Sequence, residues 1–329
     1  MSSIPAARAA PRAQALPGFL RRAVKSTTGL RGDVAFRALT LLSGLLVLVA
    51  VVGILGTLLI QSRLSFAAFG WNFLGGQTWD PVAKQFGALT FVFGTVVTSA
   101  VAVALAAPFG LAVALFLTEM APRRLRVPLA FGAELLAAIP SVVYGLWGIF
   151  VLAPFLRSVV EPALGRFSFL PIFSGPPYGV GLLAGGCIIA IMIVPTIVAI
   201  SRDVIAAVPQ AQREAAYALG ATQWEVITSA IVPFGASGII GAVMLALGRA
   251  VGETMAVTMV IGNSHTIQAS LFGLGDTMSS VLANEFTEAA YPLYVSALIE
   301  IGLVLFGVTV LLNIGARLLV WRVTRANGA

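Results

Sequence analysis

Apolar residues along this chain fall into six long runs, separated by shorter segments rich in charged residues, Gly and Pro. Each run reaches the roughly 20 residues that an α-helix needs to cross the hydrocarbon core of a bilayer. The predicted spans are residues 38–60, 86–117, 128–155, 178–201, 234–262 and 292–316. The pattern therefore predicts an all-α, polytopic membrane protein with one transmembrane domain over residues 38–329.

The segment before the first run, residues 1–37, is rich in Ala, Pro, Ser and Arg. This composition predicts a disordered, basic tail on the cytoplasmic side. The first run is longer than the apolar region of a signal peptide, and no Ala-x-Ala cleavage pattern follows it. We therefore expect it to stay in the protein as a membrane anchor.

The composition excludes several classes of function. The chain is 59% hydrophobic and 10% charged, far from the balance of a soluble domain. Its lone cysteine, Cys187, and lone histidine, His265, exclude a disulfide framework and a Cys/His metal cluster. Cys187 is expected to be a small core residue, and His265 to be solvated in an outer loop. No GxxxxGK(S/T) pattern occurs, so we expect no cofactor, no catalytic residue and no ATP hydrolysis on this chain itself.

The distribution of Lys and Arg predicts the orientation in the membrane. The net charge is +7, and 15 of the 20 basic residues fall in segments that six spans place on one side. Only four fall in the opposite loops, and the remaining one, Arg249, lies within a span. An excess of basic residues marks the cytoplasmic side, so both termini are predicted inside. This distribution explains the positive charge without a nucleic-acid partner.

One polar stretch between the fourth and fifth runs, residues 202–233, has a recognisable pattern. Two segments of helical composition are separated by Pro209, and the second ends at Gly220. The stretch resembles the EAA loop of ABC importer permeases, and we call it the EAA loop. The residues that carry the resemblance are Glu214, Ala215, Ala216, Gly220 and, in a looser second part, Ala230, Ile231, Val232 and Pro233. The resemblance implies a coupling helix that docks on a separate ATPase subunit.

Three ionisable residues lie inside predicted spans. Arg249 and Glu253 are spaced i and i+4, which places both on one helix face, and Glu300 lies at a similar depth in the sixth span. Intramembrane charges must face protein or water. They form either an internal ion pair, Arg249 with Glu253 or Glu300, or a pathway that meets an anion. Arg suits a phosphate group because its planar fork binds two oxygens, and a neighbouring carboxylate can accept a hydrogen bond from a protonated oxyanion.

Three segments extend the resemblance over nearly the whole chain after the tail. They are FLTEMAPRRLR (116–126), ELLAAIPSVVYGLWGIFVLAP (134–154) and GRAVGET (248–254). They resemble the PstC family of phosphate permease subunits, which have the MetI-like core of type I ABC importers. The resemblance implies a role in phosphate translocation for Arg249 and Glu253 and a bacterial inner-membrane location. It also implies three partners: a PstA-like permease in a heterodimer, a PstB-like ATPase dimer and a PstS-like phosphate-binding protein.

Two other functions stay open at this point. One is a permease for another oxyanion, such as sulfate or molybdate. The other is an ion-coupled secondary transporter in which Glu253 and Glu300 relay protons, although this leaves the EAA loop unexplained.

Glu134, near the cytoplasmic end of its run, is expected to snorkel or to bond a neighbouring helix. A row of small residues beside Arg249, comprising Gly238, Gly241, Gly248 and Gly252, predicts a close helix contact.

Overall fold

The computed structural model of the chain describes residues 27–327, which divide into two units, residues 27–56 and residues 57–327. Over this range the chain is helical and contains no β-strand beyond two isolated bridges. The helices are α1 Thr27–Gln61, α2 Arg63–Phe69, α3 Asn72–Gly75, α4 Leu89–Leu115, α5 Arg123–Ala138, α6 Ser141–Trp147, α7 Ala153–Phe155, α8 Glu161–Leu164, α9 Leu182–Ala206, α10 Gln210–Ala218, α11 Gln223–Val226, α12 Val232–Val251, α13 Met255–Val260, α14 Met278–Glu285 and α15 Pro292–Asn327.

Short π-helical segments join several of these helices into longer continuous runs. They are Phe116–Met120, Gly148–Leu152, Leu156–Val160 and Ile227–Ile231. Six helical runs within the described residues are long and apolar enough to cross a membrane: Gly32–Gln61, Leu89–Met120, Ser141–Phe167, Leu182–Ala206, Gln223–Val251 and Pro292–Arg322. The predicted all-α class with six transmembrane helices is therefore confirmed.

The first helix starts earlier than predicted. Helix α1 begins at Thr27, so residues 27–37 are helical and do not belong to a disordered tail. Once a helix is nucleated, each added residue gains one hydrogen bond, so a proline-free stretch before an apolar run readily extends it. The remainder of the predicted tail, residues 1–26, lies outside the described residues.

The third span differs from the predicted 128–155. Helix α5 ends at Ala138, and Ile139 adopts an extended conformation with φ −66° and ψ 130°. A residue before proline is driven out of the helical region by the proline ring, so Pro140 separates two helices rather than lying within one. The membrane-length run starts only at Ser141.

The fifth span differs at both ends from the predicted 234–262. It starts at Gln223, where Thr222 and Glu225 form a reciprocal capping box. The π-helical segment Ile227–Ile231 precedes Pro233 and carries the helix past a residue that would otherwise break it. Pro233 thus lies inside the fifth span rather than at the end of the EAA loop. At the other end, α12 stops at Val251 and the chain resumes as α13 at Met255.

Helix α9 lies at the centre of the second unit. Its side chains Ile188, Ile193 and Ile197 are fully buried in the largest apolar cluster, and Cys187 packs at the edge of that cluster. Glycines permit the close approach of α4, since a Cβ at Gly186 would overlap Val101 and one at Gly110 would overlap Ile197. The second and fourth spans are therefore held together along their length.

Candidate functional site

The interruption of the fifth span separates two of the predicted site residues. Arg249 lies in the last turn of α12, whereas Glu253 lies in the non-helical link before α13. The prediction that both occupy one helix face is wrong, because the helix ends at Val251 between them. Gly252 lies at the break. Glycine loses more backbone freedom than any other residue when it enters a helix, so a break at this position is favoured.

Glu253 serves the start of the next helix. Its Oε1 accepts a hydrogen bond from the Ala256 backbone N–H at 3.4 Å. The first N–H groups of a helix have no intrahelical partner and carry partial positive charge, so a carboxylate is stabilised there.

Two interrupted spans meet at this site. Helix α6, which follows the break at Pro140, packs against α13, which follows the break after Val251. Gly145 on α6 lies so close to Met259 and Ala256 that no Cβ fits between them. Tyr144, also on α6, donates its hydroxyl to the Leu136 carbonyl at 2.8 Å. Arg249, in the last turn of α12, lies two residues before the break in its own span.

Of the two alternatives for Arg249, the internal ion pair with Glu253 or Glu300 does not form. Within residues 27–327, no carboxylate lies within 4.0 Å of its guanidinium group. Glu300 is 5% exposed and lines a different cavity on α15, together with Ser62 and Arg63. The structure thus does not bring Glu300 to Arg249.

One face of α12 is open in the isolated chain. Leu245 is 61% exposed, Arg249 is also exposed, and a Cβ at Gly241 or Gly248 would meet no described atom within 4 Å. The predicted close contact along this row occurs only at Gly238, which packs against Val204 of α9. The remainder of the row is free to accept another helix.

The EAA loop forms a second candidate site. Helix α10 follows Pro209 and ends before Gly220, whose φ of +85° is the left-handed conformation that glycine adopts readily. Glu214 and Ala215 are exposed, whereas Ala216 packs against a buried cluster beneath the loop. Sequence reasoning missed three large exposed side chains on this loop: Tyr217 (49%), Leu219 (90%) and Trp224 (70%). Their signal was the presence of bulky apolar residues in an otherwise polar loop, which marks a docking surface.

His265 is not solvated as predicted. Its Nε2 lies 3.3 Å from Asp276 Oδ2 and 3.2 Å from Glu285 Oε1, and its ring packs edge-on against Phe91. Asp276 is 1% exposed, and Glu285 accepts hydrogen bonds from the Trp79 indole and the Tyr294 hydroxyl. This group of residues lies near Glu253, one of the predicted pathway residues. Ser279, three residues after Asp276, donates its hydroxyl to the Glu253 carbonyl at 2.7 Å.

The pKa of His265 follows from these neighbours. Burial of the ring lowers the pKa, but the bond to Asp276 and the negative charges of Glu285 and Asp276 outweigh it, so the net pKa lies above 6.5. A folded-state pKa above the unfolded value contributes stability below about pH 6.5 that disappears as pH rises through the folded pKa. When protonated, the ring pairs with Asp276 and Glu285 in the segment between the fifth and sixth spans while it packs against Phe91 of the second span.

We expect the purified chain in detergent to unfold at a lower temperature at pH 8.5 than at pH 6. In His265→Gln this dependence should be smaller, because the substituted side chain does not titrate. The measurement is the thermal unfolding midpoint against pH, with wild type and variant compared at each pH. An identical pH dependence of the unfolding midpoint in wild type and variant would contradict its attribution to His265.

Comparison with known proteins identifies the family. Residues 106–325 match the family model described as "Binding-protein-dependent transport system inner membrane component". The chain belongs to this family of membrane permease components.

Named relatives lie within that family. The chain is 48% identical over 302 residues to "Phosphate transport system permease protein PstC" of Mesorhizobium japonicum, covering 90% of this chain and 92% of the relative. The protein of the same name from Haemophilus influenzae is 44% identical, with 89% and 94% covered. A "PstC 2" from Mycobacterium tuberculosis is 36% identical, with 87% and 91% covered.

Solved structures share the fold at low sequence identity. An inward-facing MetNI methionine ABC transporter aligns with a TM-score of 0.55 at 18% identity, covering 75% of this chain and 99% of that chain. A bacterial ABC transporter involved in import of the polysaccharide alginate aligns with a TM-score of 0.54 at 16% identity, covering 88% and 98%. These matches show that the chain shares its fold with those transporter chains, in agreement with the family match over residues 106–325.

Proposed function

We propose that this chain is a transmembrane permease subunit of an ATP-driven inorganic phosphate importer. The observation that carries the proposal is Arg249, a permanently charged side chain exposed at a break in the fifth span. An arginine within the hydrocarbon region is costly unless it faces protein, water or a ligand, so its exposure marks a pathway. The phosphate transport named for the relatives agrees with an arginine at this position.

The chemistry of the site suits phosphate. The guanidinium fork of Arg249 binds two oxygens of the anion and keeps its charge when water is removed. Glu253, at the start of α13, accepts a hydrogen bond from a protonated oxyanion, which phosphate offers near neutral pH and fully ionised sulfate does not.

The open face of α12 supports a heterodimer. Arg249 and Leu245 would face lipid if the chain worked alone, and lipid offers no partner for a guanidinium group. A second permease, PstA-like, would close the pathway against the row of glycines at Gly241 and Gly248. A PstS-like binding protein would deliver phosphate at the outer mouth.

The EAA loop supports an energy source outside the chain. Its exposed Tyr217, Leu219 and Trp224 form an apolar surface beside the charge of Glu214, which is typical of a protein interface. We assign this surface to a PstB-like ATPase dimer, and the permease itself makes and breaks no bonds. The 15 basic residues on the same side support a cytoplasmic position for the loop and both termini, with the spans in a bacterial inner membrane.

The proposed function predicts an ATP-dependent import of phosphate. The tagged chain, purified from membranes, should carry the second permease and the ATPase, and the complex in proteoliposomes should import radiolabelled phosphate. Uptake should require ATP on the EAA-loop side and the binding protein on the other side. A hundred-fold excess of sulfate or molybdate should not reduce it.

Two results would contradict this assignment. Equal competition by sulfate or molybdate would favour a permease for another oxyanion. Uptake driven by an ion gradient without ATP would favour a secondary transporter.

A further inference from the structure

Glu119 joins the EAA loop to the second span. It lies in the π-helical segment Phe116–Met120, which ends that span. Its carboxylate Oε1 is 3.0 Å from Nη2 of Arg213 on α10, and both side chains are only 15% exposed. Its backbone carbonyl accepts a hydrogen bond from Nε2 of Gln223 at 3.1 Å, at the start of the fifth span. One residue of the second span thus receives a bond from α10 of the loop and another from the start of the fifth span.

Arg213 extends this connection to the fourth span. Its Nη1 donates to the Val208 carbonyl at 3.0 Å, and its Nη2 donates to the Ile205 carbonyl at 2.9 Å. Ile205 belongs to the last turn of α9. The planar guanidinium group distributes these bonds in fixed directions, so the position of α10 relative to both spans is defined.

The ion pair lies over a small apolar cluster. Its buried residues come from the second, fourth and fifth spans and from the loop itself: Ala114, Ile205, Val226, Ile227, Ile231 and, from the loop, Val208. A charge pair that is largely shielded from water is screened less than one on the surface, and losing one member leaves the other without compensation.

The nearby pair of Arg202 with Glu134 is different, since its side chains are 27% and 56% exposed and it joins α9 to α5. Glu134 thus bonds a neighbouring helix, as the sequence predicts.

We propose that Glu119 is a positioning residue that transmits displacement of the EAA loop to the second span. The inference rests on the proposed function, because it requires a partner ATPase that moves the loop. The second span packs tightly on α9, which in turn packs against α12, the helix that ends beside Arg249. Motion of the loop therefore reaches the pathway through the bonds of Glu119 to Arg213 and Gln223, and not only through the continuous helix that starts at Gln223.

The test measures phosphate imported per ATP hydrolysed in proteoliposomes of the complete transporter. Glu119→Gln keeps the size of the side chain and removes its charge. We expect this variant to import on the order of tenfold less phosphate per ATP, as expected for the loss of a typical coupling interaction. The amount of ATPase that copurifies and the unfolding midpoint should match wild type. Glu119→Asp, which retains the charge, should recover part of the ratio, and the matched control Arg202→Gln should resemble wild type.

Two outcomes overturn the inference. A wild-type ratio in both Glu119→Gln and Arg213→Gln shows that the pair transmits nothing. Loss of the ATPase subunit from the Glu119→Gln complex shows that the residue supports docking instead of transmission. Failure of the proposed function is separate, because the wild-type transporter would then import no phosphate at the expense of ATP.

Discussion

Arg249→Gln is expected to abolish phosphate uptake while the chain still inserts into the membrane. The glutamine amide retains two donors but no charge, and two charge-assisted hydrogen bonds are worth about 1.5–3 kcal/mol each. Uptake should therefore fall by about 100-fold or more. Arg249→Lys should retain part of the activity, because an ammonium group keeps the charge but not the planar fork. The measurement is initial uptake of radiolabelled phosphate at equal amounts of membrane-inserted protein.

The control for this prediction is Arg166→Gln, which removes an equal charge from an exposed turn away from the fifth span. It should import phosphate at the wild-type rate. If Arg249→Gln also imported phosphate at that rate, the residue would have no place in the pathway.

Disruption of the EAA loop should uncouple the permease from its ATPase. Gly220 has φ +85°, whereas proline fixes φ near −65°, so Gly220→Pro cannot keep the end of α10 in place. Glu214→Lys reverses an exposed charge on the same helix without altering the backbone. Both variants should insert into the membrane, fail to retain the ATPase on purification and lose ATP-driven uptake.

A second pair of variants separates backbone from charge effects. Gly220→Ala tolerates the left-handed conformation at a cost of about 1–2 kcal/mol and should give a milder defect than the proline variant. Glu288→Lys makes the same charge reversal at an exposed position in the opposite loop and should have no effect. Normal uptake with Gly220→Pro or Glu214→Lys would exclude the loop as the site of coupling.

The charged positions show how far sequence reasoning reached. Arg249 and Glu253 were identified because an intramembrane charge is costly and therefore informative wherever it occurs. Their relation to one another was not predicted, because a helix that is assumed to be continuous places i and i+4 on one face. The break at Gly252 depends on the capping bond between Glu253 and Ala256, and on the packing of α13 against α6.

Residues that act through long-range contacts were invisible in the sequence. Glu119 and Arg213 are 94 positions apart, and His265 reaches carboxylates on two other segments. Glu300 was one candidate partner of Arg249, yet it lines a separate cavity with Ser62 and Arg63. Position along an apolar run predicts how deep a residue lies in the membrane, but only packing between helices specifies which neighbour it meets.

By itself the sequence determined that this protein has six membrane-spanning helices with a polar loop between the fourth and fifth. The length and charge content of each apolar run suffice for that, because a bilayer admits few alternatives to a helix. Tertiary structure alone decided where the third and fifth spans break and which face of α12 stays open. It also decided that Glu119 bonds Arg213 of the EAA loop. Those features arise from contacts between segments distant in the chain, and their free energies depend on close packing that no local pattern encodes.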